Sequence, residues 1–190
     1  MNDVRASEAG FTLVETLFVL LIMSIITLMA GTAWQSLQQR MEARATVTLI
    51  ANSLSAARNA AIMRQSPVSL CGSRNGQSCD GNWHNGILAF VDLAASGTPS
   101  DPQRILGFYR VPSQGAKITW RTFGMKDLLR YDTMGRTSAS NGSFTYCPGN
   151  RDVRLARQIV LNRGGRVRYS LDRNGDGIHE DSSGKALTCP

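Results

Sequence analysis

Six arginines crowd one stretch near the end of the chain: Arg151, Arg154, Arg157, Arg163, Arg166 and Arg168, with Asp152 the one acid among them. A guanidinium is a planar fork of donors that grips carboxylate or phosphate, so the chemistry on offer is capture of an acidic group. Arg166, Arg168 and Ser170 alternate with Val167, Tyr169 and Leu171. If the apolar set packs inward on a strand, both arginines point outward on one face, roughly 6.5–7 Å apart. That spacing suits two neighbouring phosphates. Gly164 and Gly165 let the backbone turn tightly and come close to a ligand, with Arg163 at the tip. Tyr169 is the one aromatic nearby, so no base readout is expected. The alternative reading is a solvated face, or one that pairs with acids of a partner.

The whole chain agrees with an acidic partner. Its formal charge is +7, and 18 of its 21 basic residues are arginine. Nucleic acid, an anionic membrane surface and an acidic protein all fit that balance.

Enzyme chemistry has little to stand on. The two histidines, His84 and His179, are isolated from any triad-like spacing, and His84 reads as a surface residue. There is no GxxxxGK[ST] or GxGxxG loop. The expectation is a non-enzyme without a cofactor. The run Asp172-Arg173-Asn174-Gly175-Asp176-Gly177 resembles the start of a calcium loop, with oxygens at alternate positions. Ser183 stands where such a loop needs its twelfth-position acid, and no helix signal flanks it. It reads as an Asx-rich turn with no metal.

Four cysteines, Cys71, Cys79, Cys147 and Cys189, contain no C-x-x-C pair, which argues against zinc. An even count suggests two disulfides in an oxidising compartment. Three pairings are possible. The expectation is Cys71–Cys79 as a local clasp and Cys147–Cys189 as a staple for the C-terminus.

At the other end, Phe11 to Gly31 is an apolar run of roughly one hydrocarbon thickness, about 30 Å as a helix. Glu15 is the only ionisable residue in it. An acid there costs about 2.5–3.5 kcal/mol near a membrane centre, less near the end, and needs a partner. Glu15 lies four residues after Phe11, on the same helical face. A cut between Gly10 and Phe11 would create a cationic amine as that partner.

Gly10 to Glu15, GFTLVE, followed by the apolar run, resembles the class III signal of type IV prepilins and type II secretion pseudopilins. The resemblance implies cleavage after Gly10 by a prepilin peptidase, N-methylation of Phe11, and a role for Glu15 in assembly. It implies a bacterial inner-membrane precursor with one pass and its head in the periplasm, later carried in an extracellular pilus. Two features depart from the pattern. The leader holds Asp3, Arg5 and Glu8 and is not basic, and no proline interrupts the apolar half.

These residues need elements to hold them. Ala43, Val47, Ile50, Leu54, Ala57 and Ala61 recur at helical spacing, and no Pro or Gly interrupts residues 32–65 before Ser66-Pro67. One helix is expected from about 11 to 65. Beyond it, short β runs are expected near 68–71, 86–92, 103–111, 116–123, 129–133, 143–147, 155–161 and 166–171, separated by Gly- and Pro-rich breakers. The fold class is α+β: one long helix and a β-rich head. Its parts are a leader 1–10, a membrane-spanning part 11–31, an amphipathic part 32–66 and a head 67–190.

That order resembles the GspH/FimT/FimU branch of minor pilins and pseudopilins. Gly165-Arg166-Val167-Arg168 is similar to the GRxR motif of FimT-type minor pilins. The resemblance implies DNA binding in natural transformation through Arg154, Arg157, Arg163, Gly165, Arg166 and Arg168, with other pilins as fibre partners. The other role it allows is a structural minor pilin or type II secretion pseudopilin that helps start fibre assembly without touching DNA.

Overall fold

The computed structural model describes residues 10–112, 115–122, 127–137 and 141–189, with the side chains at 29, 30, 32 and 33 outside that set. Residues 1–9 of the expected leader and residue 123 of an expected strand therefore lie outside the described residues. The chain divides into two compact units, residues 1–38 and 39–190.

A single helix, α1, runs Leu13–Arg64. Thr12 caps its start: the Thr12 hydroxyl accepts from the Glu15 amide at 3.3 Å. Thr12-x-x-Glu15 is the spacing of a capping box, and an acid in the first turn also complements the helix dipole. The helix ends in a Schellman arrangement. Gln65 takes a left-handed φ of 49°, the Ser66 amide reaches back to the Ala61 carbonyl, and the Gln65 amide reaches the Ile62 carbonyl. Pro67 then cannot continue it.

In the first unit, every described side chain from Phe11 to Leu28 is exposed. No helix among the described residues is long and apolar enough to cross a membrane.

The second unit begins with the amphipathic part of α1. Ala43, Val47, Ile50, Leu54, Ala57 and Ala61 are all buried, while Arg40, Arg44, Thr48, Asn52, Ser55 and Asn59 are exposed. That stripe packs on two antiparallel sheets. The first has the order β3-β2-β1-β5, with β1 Val68–Gly72, β2 Gly86–Val91, β3 Ile105–Arg110 and β5 Leu128–Tyr131. The second has the order β4-β6-β7-β8, with β4 Lys117–Thr122, β6 Gly142–Cys147, β7 Arg157–Leu161 and β8 Val167–Tyr169.

The sheets and helix share one core. It joins Ile50 and Leu54 to Leu70, Ile87, Leu129 and Tyr131 of the first sheet and to Ile118, Trp120, Phe144, Ile159 and Leu161 of the second. Trp120 stacks on Phe144 at 4.4 Å between centroids, and Trp83 meets Phe144 edge-on at 5.0 Å. The first sheet is covered on its other face too, where Cys71, Leu88, Phe90 and Leu128 form a second cluster. This is why β1 is buried at every position rather than at alternate ones.

Disulfides join Cys71 to Cys79 and Cys147 to Cys189, each with Cα atoms 5.6 Å apart. The second pins the C-terminal segment beside β6. There Cys147, Ala156 and Leu187 form a third small cluster.

Candidate nucleic-acid interface

The arginine-rich stretch folds as the β7–β8 hairpin. Its turn is closed by the Gly165 amide donating to the Asn162 carbonyl at 2.9 Å, and the Arg166 amide donates to the Asn162 side chain at 2.9 Å. Gly165 has φ +72°, a conformation that favours glycine. Arg163, Arg166 and Arg168 are exposed. Among the described residues, none of the three makes an ion pair.

Gly165 does a different job from the expected one. Its α-carbon approaches the protein rather than a ligand: a Cβ there would meet the Gly135 carbonyl oxygen, Arg58 Nε and Tyr131. The hairpin tip is docked on the 132–137 turn, where the Thr137 amide donates to the Arg163 carbonyl at 3.0 Å. Arg58 of α1 in turn donates to the Gly135 carbonyl at 2.9 Å. The tip is thus tied through that turn to the helix.

The expected alternation on β8 holds only in part. Val167 is half-buried, but Tyr169 and Leu171 are exposed, at 54% and 62%, and Ser170 is buried. β8 is the edge strand, and the helix turn carrying Arg44, Val47 and Thr48 leaves a cleft beside Tyr169. Ser170 is drawn in by polar bonds instead. Its hydroxyl accepts from the Gln158 amide at 2.9 Å, and its own amide donates to the Gln158 carbonyl at 2.8 Å.

The six arginines do not form one patch. Register pairs Val160 with Arg168 and Ile159 with Tyr169. Side chains alternate along a strand, so Arg157 shares the face of Ile159, opposite to Arg168. There it bonds the Arg154 and Ala156 carbonyls, each at 2.7 Å. Burial, then the neighbouring Arg44 and Arg40, hold the Arg157 guanidinium below its ordinary value. Arg154 lies exposed in a short 3-10 turn, Val153–Leu155, before β7.

The two histidines serve the fold. His84 is half-buried rather than at the surface, because its Nδ1 accepts from the Ile118 amide at 2.8 Å and so latches a loop to β4. Burial, then Lys117, lower its pKa. His179 Nδ1 lies within 3.1 Å of the Ser170 hydroxyl, and burial followed by Arg157 lowers its pKa.

In the Asx-rich turn, the Asp172 carboxylate accepts from the Gly175 and Gly177 amides at 2.7 and 2.9 Å. Asp172, Asp176 and the buried Glu180 bring carboxylate oxygens within 4.8 Å of one another. Glu180 accepts from the Arg173 amide at 2.9 Å.

Near the N-terminus, Phe11 and Glu15 line one shallow groove with Thr16, Val19 and Leu20. The two residues singled out by spacing therefore share a face. Sequence reasoning passed over Thr12, although the T-x-x-E spacing before an apolar run was a usable signal. It also passed over Asp92, a buried acid that accepts from Ser69 Oγ at 2.8 Å and pairs with Arg130.

A helix with one apolar stripe packed on an antiparallel β head is the architecture of a pilin subunit. The family described as "Type II transport protein GspH" matches residues 46–165, and the "Prokaryotic N-terminal methylation motif" matches residues 5–31. The chain belongs to the GspH family and carries the N-terminal methylation motif. It is similar to the type IV minor pilin FimU of Pseudomonas aeruginosa, at 18% identity and TM-score 0.57, over 81% of this chain and 99% of that one. It is also similar to the minor pseudopilin EpsH of the Type 2 Secretion System of Vibrio cholerae, at 10% identity and TM-score 0.50, over 67% of this chain and 95% of that one. At these identities the likeness concerns the fold. No curated relative matches the sequence.

Proposed function

We propose that this minor pilin binds extracellular DNA through its arginine-bearing edge strand and serves DNA uptake in natural transformation, as a FimT-like subunit. In this reading a prepilin peptidase cuts after Gly10, Phe11 is N-methylated, and residues 11–31 hold the precursor in the inner membrane before it joins other pilins in a fibre. Glu15 then meets the new amine during assembly. The parts are the leader 1–10, the membrane part 11–31, the amphipathic part 32–66 and the head 67–190.

The observation that carries the DNA reading is the edge strand itself. Arg168 on β8 and Arg166 just before it stand exposed, held by a hairpin tip that is locked to the body. Guanidinium forks there contact phosphates and release counterions, so binding is independent of sequence and sensitive to salt. Arg163 sits beside them, while Arg154 and Arg157 lie apart and contribute less.

The test is a fluorescence-anisotropy titration of the full chain, in a neutral detergent, with duplex DNA at two salt concentrations. Low-micromolar or weaker binding that falls steeply with salt is expected, and Arg166→Gln with Arg168→Gln abolishes it. Unchanged binding by a folded double variant overturns the reading.

The family description, a type II transport protein, favours a second reading: a structural pilin or pseudopilin that helps start fibre assembly. Gene deletion separates the two. Lost transformation with intact fibres supports DNA binding, and lost fibres support assembly.

A further inference from the structure

The outer face of the second sheet, opposite α1, is only half covered. The C-terminal segment lies over its lower part, where Leu187 packs on Cys147 and Ala156 and the Cys147–Cys189 disulfide pins the chain. Above that segment the face is open. A cavity of about 750 Å³ runs from that face, where Thr119, Arg121, Ser143 and Ser182 line it, round the β4 edge to Trp83 and Asp127, and none of the described β8 residues lines it.

Strand register shows what flanks this opening. Arg121 pairs with Ser143, Ser143 with Val160, and Val160 with Arg168. The four residues form one row across four strands, on one face. An arginine stands at each end of the row, and a hydroxyl and a small apolar side chain lie between. The two end strands are three spacings apart, roughly 14–15 Å. At the spacing of roughly 6.5–7 Å that suits two neighbouring phosphates, that length takes in about three phosphates of one strand.

Charge fits the same occupant. Arg121, Arg166 and Arg168 are exposed, and among the described residues none makes an ion pair. Lys117, also exposed, adds a fourth cation on β4. Among the residues lining the cavity Asp127 is the acid, and it sits against Gly81, off the row.

We infer that this opening and the strand row beside it form a phosphodiester-binding groove, in which Arg121 on β4, lining the cavity, and Arg166 and Arg168 at the β8 edge, beyond the cavity, hold one nucleic-acid backbone. The inference rests on the proposed DNA reading and extends it to a second strand of the sheet. Arg121 is 45 residues before Arg166 in the chain and belongs to no basic run, so only the pairing of β4 with β6 makes it part of the site.

The experiment measures binding of the full chain in neutral detergent to two labelled probes, a duplex and an unstructured oligothymidylate, across a salt series. Four proteins are compared: wild type, Arg121→Gln, Arg166→Gln with Arg168→Gln, and Arg110→Gln, an exposed arginine at the end of β3 in the other sheet. Thermal melts establish that each is folded. Arg121→Gln is expected to weaken binding at least threefold on one probe or both. The slope of log K against log salt should fall by about 0.9 on duplex or about 0.7 on single strand. Arg110→Gln should stay within twofold of wild type. The probe that responds tells whether the groove holds a strand or a duplex.

Wild-type affinity in Arg121→Gln, with loss in the β8 double variant, overturns the groove and leaves the DNA reading standing. Equal losses in Arg121→Gln and Arg110→Gln also overturn it, since net charge alone would then account for binding. A wild-type protein that binds neither probe overturns the DNA reading and the groove with it.

Discussion

The α-carbon of Gly165 faces the carbonyl of Gly135 so closely that a side-chain carbon at residue 165 would stand 2.1 Å from that oxygen. The hairpin that bears Arg166 and Arg168 is therefore seated by a glycine that admits no side chain. Gly165→Ala adds a left-handed φ of +72° for a residue with a Cβ to a backbone clash. A loss of about 2 kcal/mol or more is expected, read as a lower midpoint in urea unfolding. The neighbouring Gly164 has no left-handed φ, and the nearest atom to a Cβ there is the Asn162 side-chain oxygen at 3.4 Å. Gly164→Ala should cost far less, and equal costs would show that the contact with Gly135 is unimportant.

The two β8 arginines can be counted by salt. If Arg166 and Arg168 each neutralise one phosphate, each single change to Gln lowers the slope of log K against log salt by about 0.9 on duplex DNA. Arg157→Gln should leave the slope nearly unchanged, because Arg157 lies on the opposite face and spends its Nη1 on two backbone carbonyls. A slope that drops equally for Arg157 and Arg168 would contradict this division of the basic stretch.

Much of this architecture could be read from local patterns. The helix stripe from Ala43 to Ala61 and the stop at Ser66-Pro67 are periodicity and backbone sterics, which act over a few residues. The eight strands among the described residues fall near their expected positions because each is a short β run bounded by turn residues. What could not be read depends on register. Arg157 and Arg168 look like one basic cluster in the sequence, and the β7–β8 pairing puts them on opposite faces. Arg121 looks like an ordinary surface residue until β4 and β6 pair. The burial of β1 on both faces, and the meeting of Asp92 with Arg130, likewise come from contacts between distant segments.

The Asp92–Arg130 pair gives the fold an acid-sensitive joint. Burial pushes the Asp92 carboxyl up, but hydrogen bonds from Ser69, Arg130 and Gly97 outweigh it and hold the pKa below the usual carboxylate value. A depressed pKa means that the unfolded chain takes up the proton first as pH falls. The pair's contribution is thus fully present above about pH 4–5 and is lost as pH drops through the folded value. Removing one partner of a buried pair costs about 3–5 kcal/mol, so Asp92→Asn should be strongly destabilised at pH 7. Urea melts at pH 7 and pH 3 test the sign: the gap between wild type and Asp92→Asn should narrow at the lower pH. A constant gap would place the cost in packing rather than in charge.

The two disulfides should differ in both stability and function. In the loop-closure account, a bridge stabilises more as the loop it closes lengthens. The separations of 8 and 42 residues correspond to about 2.5 and about 4 kcal/mol. Replacing Cys147 and Cys189 by Ala should therefore lower the unfolding midpoint more than replacing Cys71 and Cys79. The functional contrast is sharper. The Cys147–Cys189 bridge holds the segment that covers the lower half of the second sheet and places Ser182 at the rim of the groove. The Cys71–Cys79 bridge lies with Leu88, Phe90 and Leu128 on the far face of the first sheet. At a temperature where both variants remain folded, loss of the C-terminal bridge should alter DNA affinity while loss of the other leaves it unchanged. Anisotropy titrations of the two double variants decide this, and equal affinities would mean that the C-terminal segment takes no part in shaping the groove.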